Sequence, residues 1–188
     1  MSKKAWENWS ASLLLVLSIF WFGDLSAQRV VNSSPEEIRA SFSAQKVNCL
    51  FFFVEDCPVS MRDFSVVREL RNKYDTTQLS IIAVYVGDKR GELNAIADSI
   101  GTELVYTHDL AHELVEMAGA SITPEYFVFD NVGELKYRGA IDNYAYGYAK
   151  HRKRVSKHYL EDAINAVLKG KRVATKSSRP YGCYIEEL

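Results

Sequence analysis

The strongest pattern in the chain is an apolar, aromatic-rich run, Val47 to Val54, bounded by polar residues. Such a run predicts a strand covered on both faces, as in the middle of a parallel sheet. The period then changes. Met61, Phe64, Val67, Leu70 and Tyr74 recur every three or four residues and predict an amphipathic helix. Leu79 to Val86 predicts a second buried strand, closed by Gly87-Asp88, and Leu93, Ile96, Ala97 and Ile100 form a further helical stripe ended by Gly101. Leu104 to Tyr106 predicts a short strand, followed by a helix over Asp109 to Met117 that Gly119 stops. Upstream, Ser34-Pro35-Glu36-Glu37 combines an N-cap serine, a proline at the first helical position and a capping-box glutamate. It predicts a short helix running towards Ala44. Downstream, Tyr126–Phe129 and Glu134–Tyr137 flank the turn-rich Asp130-Asn131-Val132-Gly133 and predict a β-hairpin. Leu160, Ala163, Ile164, Val167 and Leu168 mark a last helix before Gly170. Strands and helices in this alternation imply an α/β fold with a mixed sheet and helices on both faces.

The first residues follow another rule. Lys3 and Lys4 precede an almost wholly apolar stretch from Leu13 to Phe22, and Leu25-Ser26-Ala27 offers small residues before Gln28. This is the layout of a secretory signal peptide, expected over residues 1–27 with cleavage after Ala27. The domain is then expected over 28–188, with an irregular tail over about 169–188 where no periodicity is visible. The apolar stretch is shorter than the roughly 20 residues that a bilayer span needs, so no stable membrane span is expected after cleavage. The expected location is periplasmic or secreted. A composition of 47% hydrophobic and 25% charged residues suits one domain with a packed core. A net charge of -1 supplies no chain-wide field for phosphate backbones, so a nucleic-acid partner is not expected.

Export changes how the three cysteines are read, because a disulfide persists outside the reducing cytosol. Cys57 falls between the first strand and the first long helix, with Pro58 at a natural first helical position. A thiol there meets unpaired backbone N–H groups and the positive end of the helix dipole, both of which favour thiolate. Glu55 and Asp56 immediately before it act the other way. A structural cysteine at a strand end fits the same position. Thr123-Pro124 stands directly before the strand Tyr126–Phe129, where a proline marks a strand start or a tight bend and is a candidate cis bond. Cys49 lies eight residues upstream of Cys57 within the predicted strand, which puts the two more than about 20 Å apart and makes Cys49 a small buried hydrophobe. Cys183 lies on the tail, which is long enough to reach back to the strand-helix junction. A permanent bridge, a reversible one and a free tail thiol all fit that placement.

Asp56-Cys57-Pro58-Val59-Ser60 after a strand, with Thr123-Pro124 before a later one, resembles the thioredoxin superfamily. The chain is more closely similar to exported redoxin-type proteins related to the alkyl hydroperoxide reductase and thiol-specific antioxidant group. The similar stretch continues through Phe127-Val128-Phe129-Asp130, Gly133 and Tyr137–Asp142 to Gly182-Cys183-Tyr184-Ile185. The resemblance implies a thioredoxin-like mixed sheet flanked by helices, with Cys57 as nucleophile. It implies that Pro124 is a cis-proline packed against that cysteine, and that Thr123 lies beside the substrate backbone. Two departures matter. Ser60 stands where a two-cysteine motif has its second thiol, so Cys57 cannot form the usual local disulfide, and a reversible bridge to Cys183 would replace it. Leu50 and Val54 stand where peroxiredoxins carry a proline and a threonine or serine.

The expected function is therefore a thiol-disulfide oxidoreductase, with Cys57 and Cys183 catalytic and protein or small-molecule disulfides and thiols as partners. A non-catalytic binding or copper-chaperone-like module on the same fold, and a thiol peroxidase, are the alternatives. Cys57 and Met61 at i and i+4 are a soft-ligand pair, although Met61 also fits the apolar stripe of its helix. His108 and His112 share a face only if their helix starts early, and no motif completes a zinc site. No metal and no cofactor is expected. Lys150 to Arg154, after Tyr144, Tyr146 and Tyr148, reads as a solvated basic loop.

Overall fold

The computed structural model describes residues 30–31, 33–89, 93–100, 104–147 and 149–186. The expected signal segment, 1–27, lies outside the described residues. The elements in chain order are β1 (Val30–Val31), α1 (Pro35–Ser41), β2 (Val47–Phe53), α2 (Pro58–Lys73), β3 (Leu79–Tyr85), α3 (Leu93–Ile100), β4 (Val105–His108) and α4 (Glu113–Ala118). They continue with β5 (Ile122–Thr123), β6 (Glu125–Asp130), β7 (Leu135–Gly139), β8 (Ala145–Gly147), β9 (Lys150–His151), α5 (Tyr159–Leu168) and β10 (Cys183–Tyr184).

Six strands form the main sheet in the order β1-β4-β3-β2-β6-β7. The first four run parallel, while β6 is antiparallel to β2 and β7 antiparallel to β6. Every residue of β2 is buried, because strands hydrogen-bond it on both edges and helices cover both faces. Alternate residues feed two cores. Cys49, Phe51 and Phe53 pack with Phe64 and Val67 of α2 and Leu160 and Ile164 of α5. Leu50 and Phe52 pack with Ile38 of α1 and Leu114 of α4. Asn48 is the polar exception in the strand, and its amide donates to the Phe42 carbonyl at 3.0 Å, closing the short 3-10 turn after α1. The capping box forms as the sequence predicts: the Ser34 hydroxyl accepts from Glu37 N–H, and the Glu37 carboxylate accepts from Ser34 N–H.

Four local expectations are corrected. The buried face of α2 runs through Ser60, Asp63, Phe64, Val67 and Leu70, so Met61 is turned about one residue out of the core and is exposed. Asp109 does not open the next helix. Its carboxylate accepts from Leu114 N–H at 3.1 Å and Val115 N–H at 2.8 Å, which caps a helix that starts only at Glu113. His108 and His112 are consequently both outside α4, and His108 Nε2 is paired with the Gly87 carbonyl. The basic run is no plain loop, since Lys150–His151 pairs with Ala145–Gly147 in a small hairpin.

The tail is also more ordered than its sequence suggests. Ser178 N–H donates to the Arg138 carbonyl, and Arg138 N–H donates to the Lys176 carbonyl, both at 3.1 Å. Ser178 Oγ accepts from Ala140 N–H and meets the Tyr137 hydroxyl. A side chain at Gly139, whose φ is +134°, would collide with the Ser178 backbone. These anchors lay the tail across the end of β7, from which it runs to β10.

Candidate functional site: two thiols and a cis-proline

Cys57 is the N-cap of α2, held by a turn in which its N–H donates to the Val54 carbonyl, with Pro58 fixing the first helical residue. Its thiol is 0% exposed and donates to the Thr123 carbonyl at 3.2 Å. The bond from Thr123 to Pro124 is cis. Just before that bond, β5 pairs antiparallel with β10, Cys183 standing opposite Thr123. Thr123 Oγ1 donates to the Cys183 carbonyl at 3.3 Å, and Ile185 N–H donates to the Ser121 carbonyl at 3.2 Å. The two thiols, 126 positions apart in sequence, come within hydrogen-bonding reach of each other. They are unbonded, and Cys183 is exposed where Cys57 is not. Cys49 is elsewhere, sealed in the core, where burial drives its thiol far above the ordinary range. The structure thus brings together Cys57, Cys183, Thr123 and Pro124.

The electrostatics separate the two thiols. Burial pushes Cys57 up. The Ser60 N–H, the Cys183 thiol, the Ser60 hydroxyl and the Val59 N–H outweigh it, leaving Cys57 below the ordinary thiol value. Burial first, and then its hydrogen bond to the neighbouring thiol, push Cys183 up to about 11. Cys57 is the stronger acid of the pair. The two acidic neighbours are neutralised from outside: Lys89 lies 3.3 Å from Glu55 and 3.7 Å from Asp56. The balance that the sequence left open therefore falls to the helix end.

Ser60 was visible in the sequence only as a missing second cysteine. Its hydroxyl is fully buried and has no hydrogen-bond partner while Cys57 is protonated. Ionisation of Cys57 supplies that partner. Ser60→Ala is expected to raise the Cys57 pKa by about one unit, since a hydrogen bond to a charged group contributes roughly 1.5–3 kcal/mol. The pH dependence of alkylation in a Cys183→Ser background measures it, and an unchanged profile removes Ser60 from the site.

A polar network lies beside the thiols, and sequence reasoning missed most of it. Asp63, on the buried face of α2, accepts from the Tyr126 hydroxyl at 3.1 Å and from Arg62 at 2.8 Å. Arg62 also donates to Asp142 at 2.9 Å, and its guanidinium lies 4.3 Å from the centre of the Tyr144 ring. Burial holds the Asp63 carboxyl up at about 7 despite Arg62. A cavity of about 20 Å³, lined by Val59, Asp63, Pro124 and Tyr181 among others, admits roughly one water beside it. The available signal was the helical stripe, which reaches Ser60 and Asp63 when read one residue earlier than Met61. Among the described residues no group of three or more histidine, cysteine or acidic side chains is placed to hold a metal. No helix among them is long and apolar enough to cross a membrane.

A parallel strand, a cysteine capping the helix after it, and a cis-proline before an antiparallel strand define a thioredoxin-like domain. Residues 45–135 match the model of a thioredoxin-like family. Among solved structures, a hypothetical protein of Sinorhizobium meliloti is 26% identical, with a TM-score of 0.69, over 79% of this chain and 84% of that one. A conserved protein of Geobacillus kaustophilus is 22% identical with a TM-score of 0.69, over 79% and 81% of the two chains. A Chlorobium tepidum protein described as a thiol:disulfide interchange protein is 20% identical with a TM-score of 0.55, over 69% and 84%. No curated protein matches. Residues 45–135 thus match a thioredoxin-like family, and the chain shares its fold with these solved structures.

Proposed function

We propose that this protein is a thiol-disulfide oxidoreductase acting outside the cytosol, with Cys57 as the attacking thiol and Cys183 as the resolving one. The observation that carries the reading is the meeting of two unbonded thiols of unequal acidity at the cis-proline. The Cys57 thiolate attacks one sulfur of a substrate disulfide, forming a mixed disulfide and expelling the other sulfur as a thiolate. Cys183, once deprotonated, attacks Cys57 Sγ. The second substrate sulfur leaves, and the chain holds a Cys57–Cys183 disulfide. Two electrons have passed to the substrate, and a thiol donor returns them. Thr123 and Pro124 border the reacting sulfur and shape the place where the substrate lies. The apolar leader-like N-terminus supports export, and the pairing of distant cysteines suits an oxidising compartment.

A second reading, a non-catalytic binding module, draws on the complete burial of Cys57. One experiment separates the two. The reduced chain, without residues 1–27, is mixed with a disulfide-bonded protein substrate. The Cys183→Ser variant is expected to accumulate a mixed disulfide through Cys57, which Cys57→Ser does not form. Full disulfide reduction by Cys57→Ser, or no trapped species with Cys183→Ser, returns the protein to the binding-module reading.

A further inference from the structure

Beyond the water-sized cavity, the cleft continues past Asp142, Ala145 and Tyr181 into a larger cavity of about 190 Å³. Two arginines line it. Arg152, from the small hairpin, lies 5.0 Å from the centre of the Tyr146 ring, and Arg179, from the tail, lies 5.1 Å from that of Tyr181. Neither is ion-paired among the described residues. The third guanidinium of the cleft, Arg62, is taken up by Asp63 and Asp142. The same pairing removes Asp142 as a partner for the other two, since its remaining oxygen accepts from Tyr144 N–H at 2.7 Å. Two cations on tyrosine faces, without a carboxylate paired to them among the described residues, suit an anionic ligand.

The charge along the chain has the same bias. Residues 150–179 contain ten of the 23 lysines and arginines but only two of the 24 acidic residues, Glu161 and Asp162. A chain with net charge -1 thus carries a strongly positive segment that includes both arginines. Arg179 is four residues from Cys183, which puts their Cα atoms at most about 14 Å apart along the tail. The cavity is several times larger than the water-sized one and has room for a small anionic group.

We infer that Arg152 and Arg179 form a subsite for a carboxylate of the disulfide substrate, so that the protein selects acidic disulfides. The inference rests on the proposed oxidoreductase reading. The chemistry identified is a carboxylate within one or two residues of a cystine sulfur, whether in a small acidic disulfide or in an acidic peptide.

The test mixes the reduced chain with oxidised glutathione, neutral 2-hydroxyethyl disulfide or cationic cystamine at low ionic strength and follows thiol loss. Oxidised glutathione is expected to react at least about tenfold faster than the neutral disulfide and cystamine slower, with the differences shrinking in 0.5 M salt. In an R152A/R179A variant the glutathione-to-neutral ratio is expected to fall to within about twofold. Equal rates for all three disulfides with the unaltered chain overturn the subsite and leave the oxidoreductase reading intact. If none reacts, that reading fails, and the subsite is then judged by calorimetry with oxidised glutathione and a Cys57→Ser/Cys183→Ser chain. Millimolar or tighter binding that R152A/R179A abolishes sustains it, and no binding overturns it. A disulfide of an acidic cysteine peptide supplies the remaining arm: faster reaction than glutathione assigns the subsite to polypeptides, and slower reaction to small molecules.

Discussion

Gly182→Val, in a Cys183→Ser background, is expected to speed alkylation of Cys57 by about 100-fold. Cys57 is fully buried against Thr123 of β5, the strand with which the chain's own last strand pairs. A reagent reaches the thiol only when β10 leaves β5, so the rate is scaled by the fraction of molecules that are open. The contacts to be broken are the β5–β10 ladder, the Thr123 hydroxyl bond to the Cys183 carbonyl and the Ile185 bond to the Ser121 carbonyl. At roughly 1 kcal/mol for each of about three net bonds, closure suppresses the rate by about two powers of ten. Any Cβ at position 182 would collide with the Thr123 carbonyl, so valine removes the closed state without removing the tail. A chain ending at Tyr181 gives a second route to the open state, and circular dichroism reports whether either variant remains folded. Cys49 is sealed in the core and does not contribute to the count. Unchanged alkylation in both folded variants would show that β10 does not control access to Cys57. On the proposed mechanism, the same opening is what a disulfide substrate needs before Cys57 can attack it.

The parts of the fold that the sequence made legible are those in which many residues carry one signal. The apolar runs at Val47 and Leu79 became β2 and β3 because a strand buried on both faces has no room for alternation. The α3 and α5 stripes held because each packs one face against the sheet. Cys57 was legible by position, as the residue between a buried strand and a Pro58-opened helix. The lid was not. Neither β5 nor β10 exceeds two residues, which is too few to show any period, and their pairing depends on Gly182 fitting against Thr123. Met61 was misread and Asp63 passed over, because a hydrophobic stripe counts apolar residues while the first turns of α2 bury a serine and a carboxylate. The Asp109 cap was missed for a similar reason: an acidic residue at a helix start satisfies the pattern both as a cap and as a first-turn residue.

The buried carboxylate leads to the second large effect. The stability of the protein is expected to fall between pH 5 and pH 8 by an amount, on the order of 3 kcal/mol, that is absent from Asp63→Asn. In the folded chain Asp63 holds its proton up to about pH 7, whereas an unfolded aspartate loses it near 3.8. Between those values the native state binds more protons. The contribution of the protonated carboxyl is therefore fully present below about pH 4 and is lost as pH rises through 7. The groups facing Asp63 set the size of the effect. Arg62 and the Tyr126 hydroxyl from one side favour its ionised form, while burial and the charge of Asp142 oppose it. Asparagine keeps the shape, still accepts from Arg62, and cannot ionise. Urea unfolding of both proteins at pH 5 and pH 8 measures the difference, in which titrations common to the two cancel. Parallel slopes would mean that Asp63 ionises freely in the folded state. If Asp63→Asn is instead the more stable protein at pH 8, the chain is keeping a costly carboxyl one water away from its cis-proline. A group held that way, against stability, is what a site that must accept and release protons near neutral pH requires.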